Sequence, residues 1–220
     1  MKKGICYIVG AGEVGRLSIT RAPGDYLVAA DGGLEKLRAH GLEPDLVLGD
    51  FDSVTKLPEH PNILRFPVRK DDTDTMLALR LMLKDGWRIF CIYGGTGGRI
   101  DHTLANYQAL AYLASHGAQG YLIDDAWVAV VVQNGRVDLP LRKKGLFSVF
   151  CMGSVAQGVT ITGAKYEVED VEMTYDCPLG VSNGFVGKQA CVSVKKGALL
   201  VLWQNDEQGA LGKITPYEAL

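Results

Sequence analysis

The chain has 220 residues, 47% of them hydrophobic, and a formal net charge of −2. That length and apolar content support one large domain or two modest ones around a substantial core. The charges are mixed with no basic block, which argues against a nucleic-acid partner. No apolar run reaches the length of a membrane span.

The first half alternates strand and helix patterns. Residues 5–9 form a continuous apolar run closed by Gly10, the pattern of a buried parallel strand. A helix is expected over residues 13–20, then a strand over 26–30 ending in Asp31-Gly32-Gly33. Residues 34–40 read as a short helix with Gly41 in the stop position. Strands are expected at 45–48 and 63–66. A helix over 75–84 has Asp72, Thr73 and Asp74 as caps and Asp85-Gly86 at its end. A strand over 88–93 leads to Gly94-Gly95. A helix over 103–115 places Leu104, Tyr107, Leu110 and Ala114 on one face. One more strand covers 120–124. Such alternation implies a parallel sheet covered on both faces.

The pattern changes near Asp125. Short strands fit residues 127–133, 146–151, 159–161, 166–171, 189–194 and 198–203, with Asn134-Gly135 as a hairpin signal. No helix is expected after Gly120. The fold class is therefore α/β: an N-terminal Rossmann-like parallel-sheet domain over residues 1–125, then a smaller all-β sandwich domain over 126–220. The five cysteines include no CxxC pair, and four lie in apolar strand-like runs, which suits buried thiols in a reducing compartment.

Three acidic loops follow strand patterns: Gly49-Asp50-Phe51-Asp52-Ser53, Asp71-Asp72-Thr73-Asp74 and Gly97-Gly98-Arg99-Ile100-Asp101. Asp50 and Asp52 are two apart, so in extended backbone both carboxylates point the same way and can share a Mg²⁺ ion. A turn held by Asp50 and Ser53 is the competing reading. Three carboxylates in four positions exceed what capping explains, and they repel one another unless a cation sits among them. Lys70 and Arg69 just before are either phosphate contacts or solvated charge. The glycines around Thr96 let backbone amides approach an anion, and Arg99 offers a bidentate phosphate contact. Asp101 has three readings: helix cap, water-mediated metal ligand, or proton acceptor. His102 is either structural or a phosphate contact.

Gly10-Ala11-Gly12-Glu13-Val14-Gly15 matches a dinucleotide fingerprint, with Asp31 where a ribose-binding acid would stand. On its own this favours a nicotinamide enzyme. The acidic loops and the β half replace the second half such a fold needs. A non-catalytic nucleotide sensor is a third reading. By spacing alone, Gly180-Val181-Ser182-Asn183-Gly184 is a polar turn.

Taken in order, Asp31-Gly32-Gly33, Pro44-Asp45 through Ser53, Asp71 to Asp74 and Gly97 to His102 resemble the thiamine pyrophosphokinase family, as does Ser182-Asn183. The resemblance spans nearly the whole chain. It implies transfer of a diphosphoryl group from the co-substrate ATP to the hydroxyl of thiamine, with Mg²⁺, giving thiamine diphosphate and AMP. It also implies a cytoplasmic homodimer with the site shared between chains. Carried over, Asp50, Asp52 and Asp74 hold Mg²⁺–ATP, while Thr73, Arg99, Gly97 and Gly98 contact phosphates and Asp31 and Gly32 the nucleotide. Asp101 stands near the thiamine hydroxyl, with Asp74, Asp101 and Arg99 as the catalytic set. Ser182 and Asn183 face the thiamine pyrimidine, with Tyr166 as an aromatic platform.

Overall fold

Residues 1–50, 59–66, 72–205 and 211–217 are described by the structure, a computed structural model. It is a mixed α/β protein with three helices and thirteen strands among those residues. The chain divides into two compact units, Met1–Ala109 with Leu122–Asp124, and Leu110–Tyr121 with Asp125–Leu220.

The first unit is built on a parallel sheet. Its strands are β1 (Cys6–Val9), β2 (Tyr26–Ala30), β3 (Leu46–Gly49), β4 (Ile63–Arg65) and β5 (Ile89–Tyr93). They pair in the order β5-β1-β2-β3-β4, all parallel. Every residue of β1 and β3 is buried, as expected for strands covered on both faces. Each fully buried residue such as Leu27 or Ile92 contributes about 1.5–3 kcal/mol relative to an exposed one. Three helices follow: α1 (Gly33–Ala39), α2 (Asp74–Lys84) and α3 (Ile100–Ser115). Thr73 caps α2, its hydroxyl accepting the Met76 amide at 3.2 Å. Gly41 takes φ 71° just after α1, the left-handed stop that the sequence suggests.

The chain passes from β1 outward through β2, β3 and β4, then returns to place β5 on the other side of β1. The order therefore reverses between β1 and β5, and at such a switch point the loops after the strands leave a crevice.

Two helix expectations are corrected here. Residues 13–20 form no helix. The Gly12 and Glu13 amides donate instead to the carbonyls of Gly94 (2.8 Å) and Thr96 (3.2 Å), so this stretch is committed to the neighbouring loop. In α3 the buried face runs through Asn106, Ala109, Leu110 and Leu113, while Leu104 is 58% exposed.

The second unit is antiparallel. β12 (Cys191–Gln204) pairs along its length with β7 (Trp127–Asp138). On its other side it meets β9 (Val155–Thr162) and then β8 (Leu146–Cys151). β10 (Val168–Thr174) joins β9, β11 (Gly180–Gly184) joins β8, and β13 (Lys213–Pro216) joins β7. β6 (Gln119–Ile123) precedes them in the chain. Trp203, Phe147, Val201 and Val130 lie at the centre of the apolar core.

Asn134-Gly135 is not a hairpin turn but an irregularity inside β7. Asn134 takes φ 45°, and its side-chain oxygen accepts the Gly197 amide at 2.9 Å, across from the register shift in β12. A left-handed residue serves a bulge as well as a turn. The Gly180–Gly184 segment, read above as a turn, is strand β11. Tyr166 lies in the bend before β10 rather than in a strand.

Candidate active site

A cavity of about 550 Å³ opens at the switch point. One wall comes from the loop after β1, with Ala11, Gly12 and Glu13. A second comes from the end of β2 and α1, with Asp31 and Lys36. A third is the start of α2, with Asp72, Thr73 and Asp74, and the fourth is the Gly94–Gly98 loop with Arg99, His102 and Asn106. The sequence-predicted residues Asp31, Thr73, Asp74, Gly97, Gly98 and Arg99 thus meet in one crevice. Gly32, the N-cap of α1, adjoins it.

The two glycine loops are pressed together. A Cβ on Gly12 would lie 2.4 Å from the Gly94 oxygen and 2.7 Å from that of Thr96. Glycine is needed at this position for backbone-to-backbone contact, and its amide is already spent. A pyrophosphate bound in the dinucleotide manner needs that amide free and a helix opening behind it. Neither exists, so the nicotinamide reading fails on geometry.

The Gly94–Gly98 loop keeps what the first loop lacks. Gly97 and Gly98 take φ 79° and 61°, and their amides make no hydrogen bond to the described residues. The sixteen-residue helix α3 opens immediately after, with its first-turn amides and positive dipole end. Asn106, 6% exposed, holds the loop from behind, its side-chain nitrogen donating to the Gly95 carbonyl at 2.7 Å. The Thr96 hydroxyl donates to Asp124 at 2.9 Å. Sequence reasoning missed Asn106, although an amide on the otherwise apolar face of a helix was the available signal.

Arg99 and Asp101 engage each other. The guanidinium donates twice to the carboxylate, at 3.1 and 2.5 Å. The Asp101 carboxyl is thereby drawn down to about 2, chiefly by the Arg99 hydrogen bonds, although both side chains are exposed. In this arrangement Asp101 is a feeble proton acceptor.

The carboxylates are less crowded than their spacing suggests. Asp72 pairs with Arg80 of α2 at 2.9 Å, so part of the charge is neutralised within the chain. Asp31, in the left-handed region at φ 53°, donates its amide to the Leu48 carbonyl at 2.8 Å. Asp50 follows β3 at the same sheet edge but does not line the cavity. Asp52, Asp71, Arg69 and Lys70 lie outside the described residues. Among the described residues no three His, Cys, Asp or Glu groups gather into a cage. The carboxylates at these strand and helix ends still suit Mg²⁺, which takes one or two protein carboxylates and fills its shell with water and substrate phosphate.

The predicted thiamine-side residues belong to the second unit. Asn183 is 4% exposed. Its side-chain oxygen accepts the Tyr166 amide at 3.0 Å and the Gly184 amide at 2.8 Å, and its nitrogen donates to the Tyr166 carbonyl at 2.7 Å. It is a clamp that fixes Tyr166, which is 58% exposed with the Lys165 ammonium 5.0 Å from its ring centre. Ser182 is exposed, sits at φ 60°, and donates its amide to the Ser148 hydroxyl at 3.1 Å.

Comparison with known proteins gives concordant matches. The catalytic domain of thiamin pyrophosphokinase matches residues 22–122, and the vitamin B1 binding domain of the same family matches residues 136–199. The chain is 29% identical over 186 residues to thiamine pyrophosphokinase of Bacillus subtilis, covering 81% of this chain and 87% of that protein. It is 25% identical to thiamin pyrophosphokinase 1 of Caenorhabditis elegans, over 80% of this chain and 77% of that one. The crystal structure of the Bacillus subtilis enzyme superposes with a TM-score of 0.82 at 27% identity, covering 92% of this chain and 99% of that one. That from Geobacillus thermodenitrificans gives 0.77 at 26% identity, covering 94% and 100%.

Proposed function

We infer the reaction from the family: with both of its domains matched, the chain belongs to the thiamin pyrophosphokinase family. It is a thiamine diphosphokinase, transferring the diphosphoryl group of ATP to thiamine to give thiamine diphosphate and AMP. The observation that carries this reading to the site is the switch-point cavity, where free glycine amides and the α3 N-terminus face the acidic start of α2.

We propose the following division of labour. The Gly97 and Gly98 amides and the start of α3 receive phosphate oxygens, while Thr73 keeps α2 capped beside them. Asp31 and Gly32 approach the nucleotide. Asp50, Asp52 and Asp74 hold Mg²⁺, which neutralises phosphate charge when bound. Arg99 exchanges its partner on nucleotide binding, leaving Asp101 for a phosphate oxygen. Asp101, relieved of its cation, regains basicity beside the thiamine hydroxyl. The alcohol attacks the β-phosphorus in line, its O–P bond forming as the bond to the α-phosphate oxygen breaks. The hydroxyl proton leaves to Asp101 or water, and AMP departs. Such transfers depend mainly on positioning and charge neutralisation.

The first unit is read as a Rossmann-like catalytic domain over residues 1–125 and the second as a β-sandwich thiamine domain over 126–220. Ser182 and the Asn183-clamped Tyr166 supply its contacts. The active species is a cytoplasmic homodimer with the site shared between chains. No helix among the described residues is long and apolar enough to cross a membrane. Chromatographic analysis of purified protein given ATP, thiamine and Mg²⁺ tests the reading. AMP and thiamine diphosphate in equal amounts support it, and the absence of both sinks it.

A further inference from the structure

The cavity holds a cation that no motif assigns. Among the described residues lining it, the basic groups are Lys36, Arg99 and His102. The Nε–Nη2 edge of the Arg99 guanidinium is committed to the Asp101 carboxylate. The Lys36 ammonium has no hydrogen bond or ion pair with the described residues; the His40 ring meets the backbone carbonyl of Lys36, not its side chain.

The placement of Lys36 follows from two glycines. A Cβ on Gly33 would lie 1.9 Å from the Val9 oxygen, and one on Gly32 would lie 3.4 Å from the Ala11 Cβ. The bare start of α1 is therefore set directly against the end of β1 and the loop after it. Lys36 stands three and four residues beyond this pair, on the same helix face. Helical side chains lean toward the helix N-terminus, so its stem passes over the turn that the glycines leave open. Leu34 and Leu37 are buried and anchor α1 to the sheet, which holds the lysine at the cavity wall.

We propose that Lys36 is a phosphate-binding residue of the nucleotide site, contacting the polyphosphate chain of ATP. An ammonium on a flexible stem is a point charge suited to a phosphate oxygen. The positively charged thiazolium of thiamine would be repelled by it, so the lysine selects for the nucleotide. This assignment rests on the cavity being the ATP site.

Calorimetric titration of the full chain with Mg²⁺–ATP, and separately with thiamine as the phosphate-free ligand, tests it. Lys36→Met should weaken ATP binding about ten-fold or more, the scale of one lost charge-assisted contact. Lys36→Arg should recover most of the loss, and thiamine affinity should stay within two-fold, roughly the spread of a neutral surface change. Unchanged ATP affinity in Lys36→Met, or equal loss of both ligands, overturns the assignment while leaving the function intact. Wild-type protein that binds no ATP overturns the proposed function itself, and this assignment with it.

Discussion

The two units present their polar residues in opposite ways. In the α/β unit, the Gly97 and Gly98 amides and the Lys36 ammonium line a cavity and make no hydrogen bond to the described residues. In the β unit, Asn183 is buried and makes three hydrogen bonds within the chain. One set is arranged to receive a ligand, and the other holds Tyr166 in place. A motif residue can therefore matter through what it fixes, and the two roles separate in measurement: the first costs activity without stability, the second costs stability.

The largest expected effect is at Asp74. Replacement by Asn should lower kcat/KM by about 100-fold or more, as for loss of one preorganised electrostatic group. Stability should fall by no more than about 1 kcal/mol, the scale of a first-turn charge on the α2 dipole. Steady-state assay beside urea unfolding measures both, and a variant of near wild-type activity would remove Asp74 from the site.

Asn183→Ala should show the converse. Losing the clamp on Tyr166 should destabilise the fold by about 1–3 kcal/mol, read as a lower urea midpoint. Activity should fall less than for Asp74, through thiamine KM. An unchanged midpoint would contradict the clamp.

The smallest effect concerns the exposed Arg99–Asp101 pair. The folded carboxyl is held below its usual 3.8, at about 2. Its contribution is thus complete above the unfolded value and lost only as pH falls through about 2. Through this pair, stability near neutrality should therefore not change with pH. Carboxyl NMR titration of Asp101 should show the low value in free protein and a rise toward 3.8 in Arg99→Ala. A normal Asp101 value in the wild type would contradict the Arg99–Asp101 pairing.

The units also differ in how legible they were in the sequence. Buried parallel strands read plainly, because covering both faces makes runs such as residues 5–9 continuously apolar. The cap at Thr73 and the stop at Gly41 followed from local chemistry alone. The helix expected over 13–20 does not form, and the Gly12 and Glu13 amides at its start are tied to the Gly94 and Thr96 carbonyls, a long-range pairing that local spacing does not show. Asn134-Gly135 misled because a left-handed residue suits a bulge as well as a hairpin. At the site, Asp72 to Asp74 and Gly97 to Arg99, from two of the three acidic loops, line one cavity. Spacing could not show that Arg80 neutralises Asp72, that Asp101 is tied to Arg99, or that Lys36 is carried to the same cavity by a helix packed on bare glycines.

The central claim is that ATP gives up its two terminal phosphates as one unit. ATP carrying radiolabel at the β position in one reaction and at the γ position in another tests this directly, with thiamine, Mg²⁺ and purified protein. Both labels should appear in thiamine diphosphate in equal yield, with unlabelled AMP as the other product. Label from the γ position alone in a thiamine ester, with labelled ADP left behind, would contradict it.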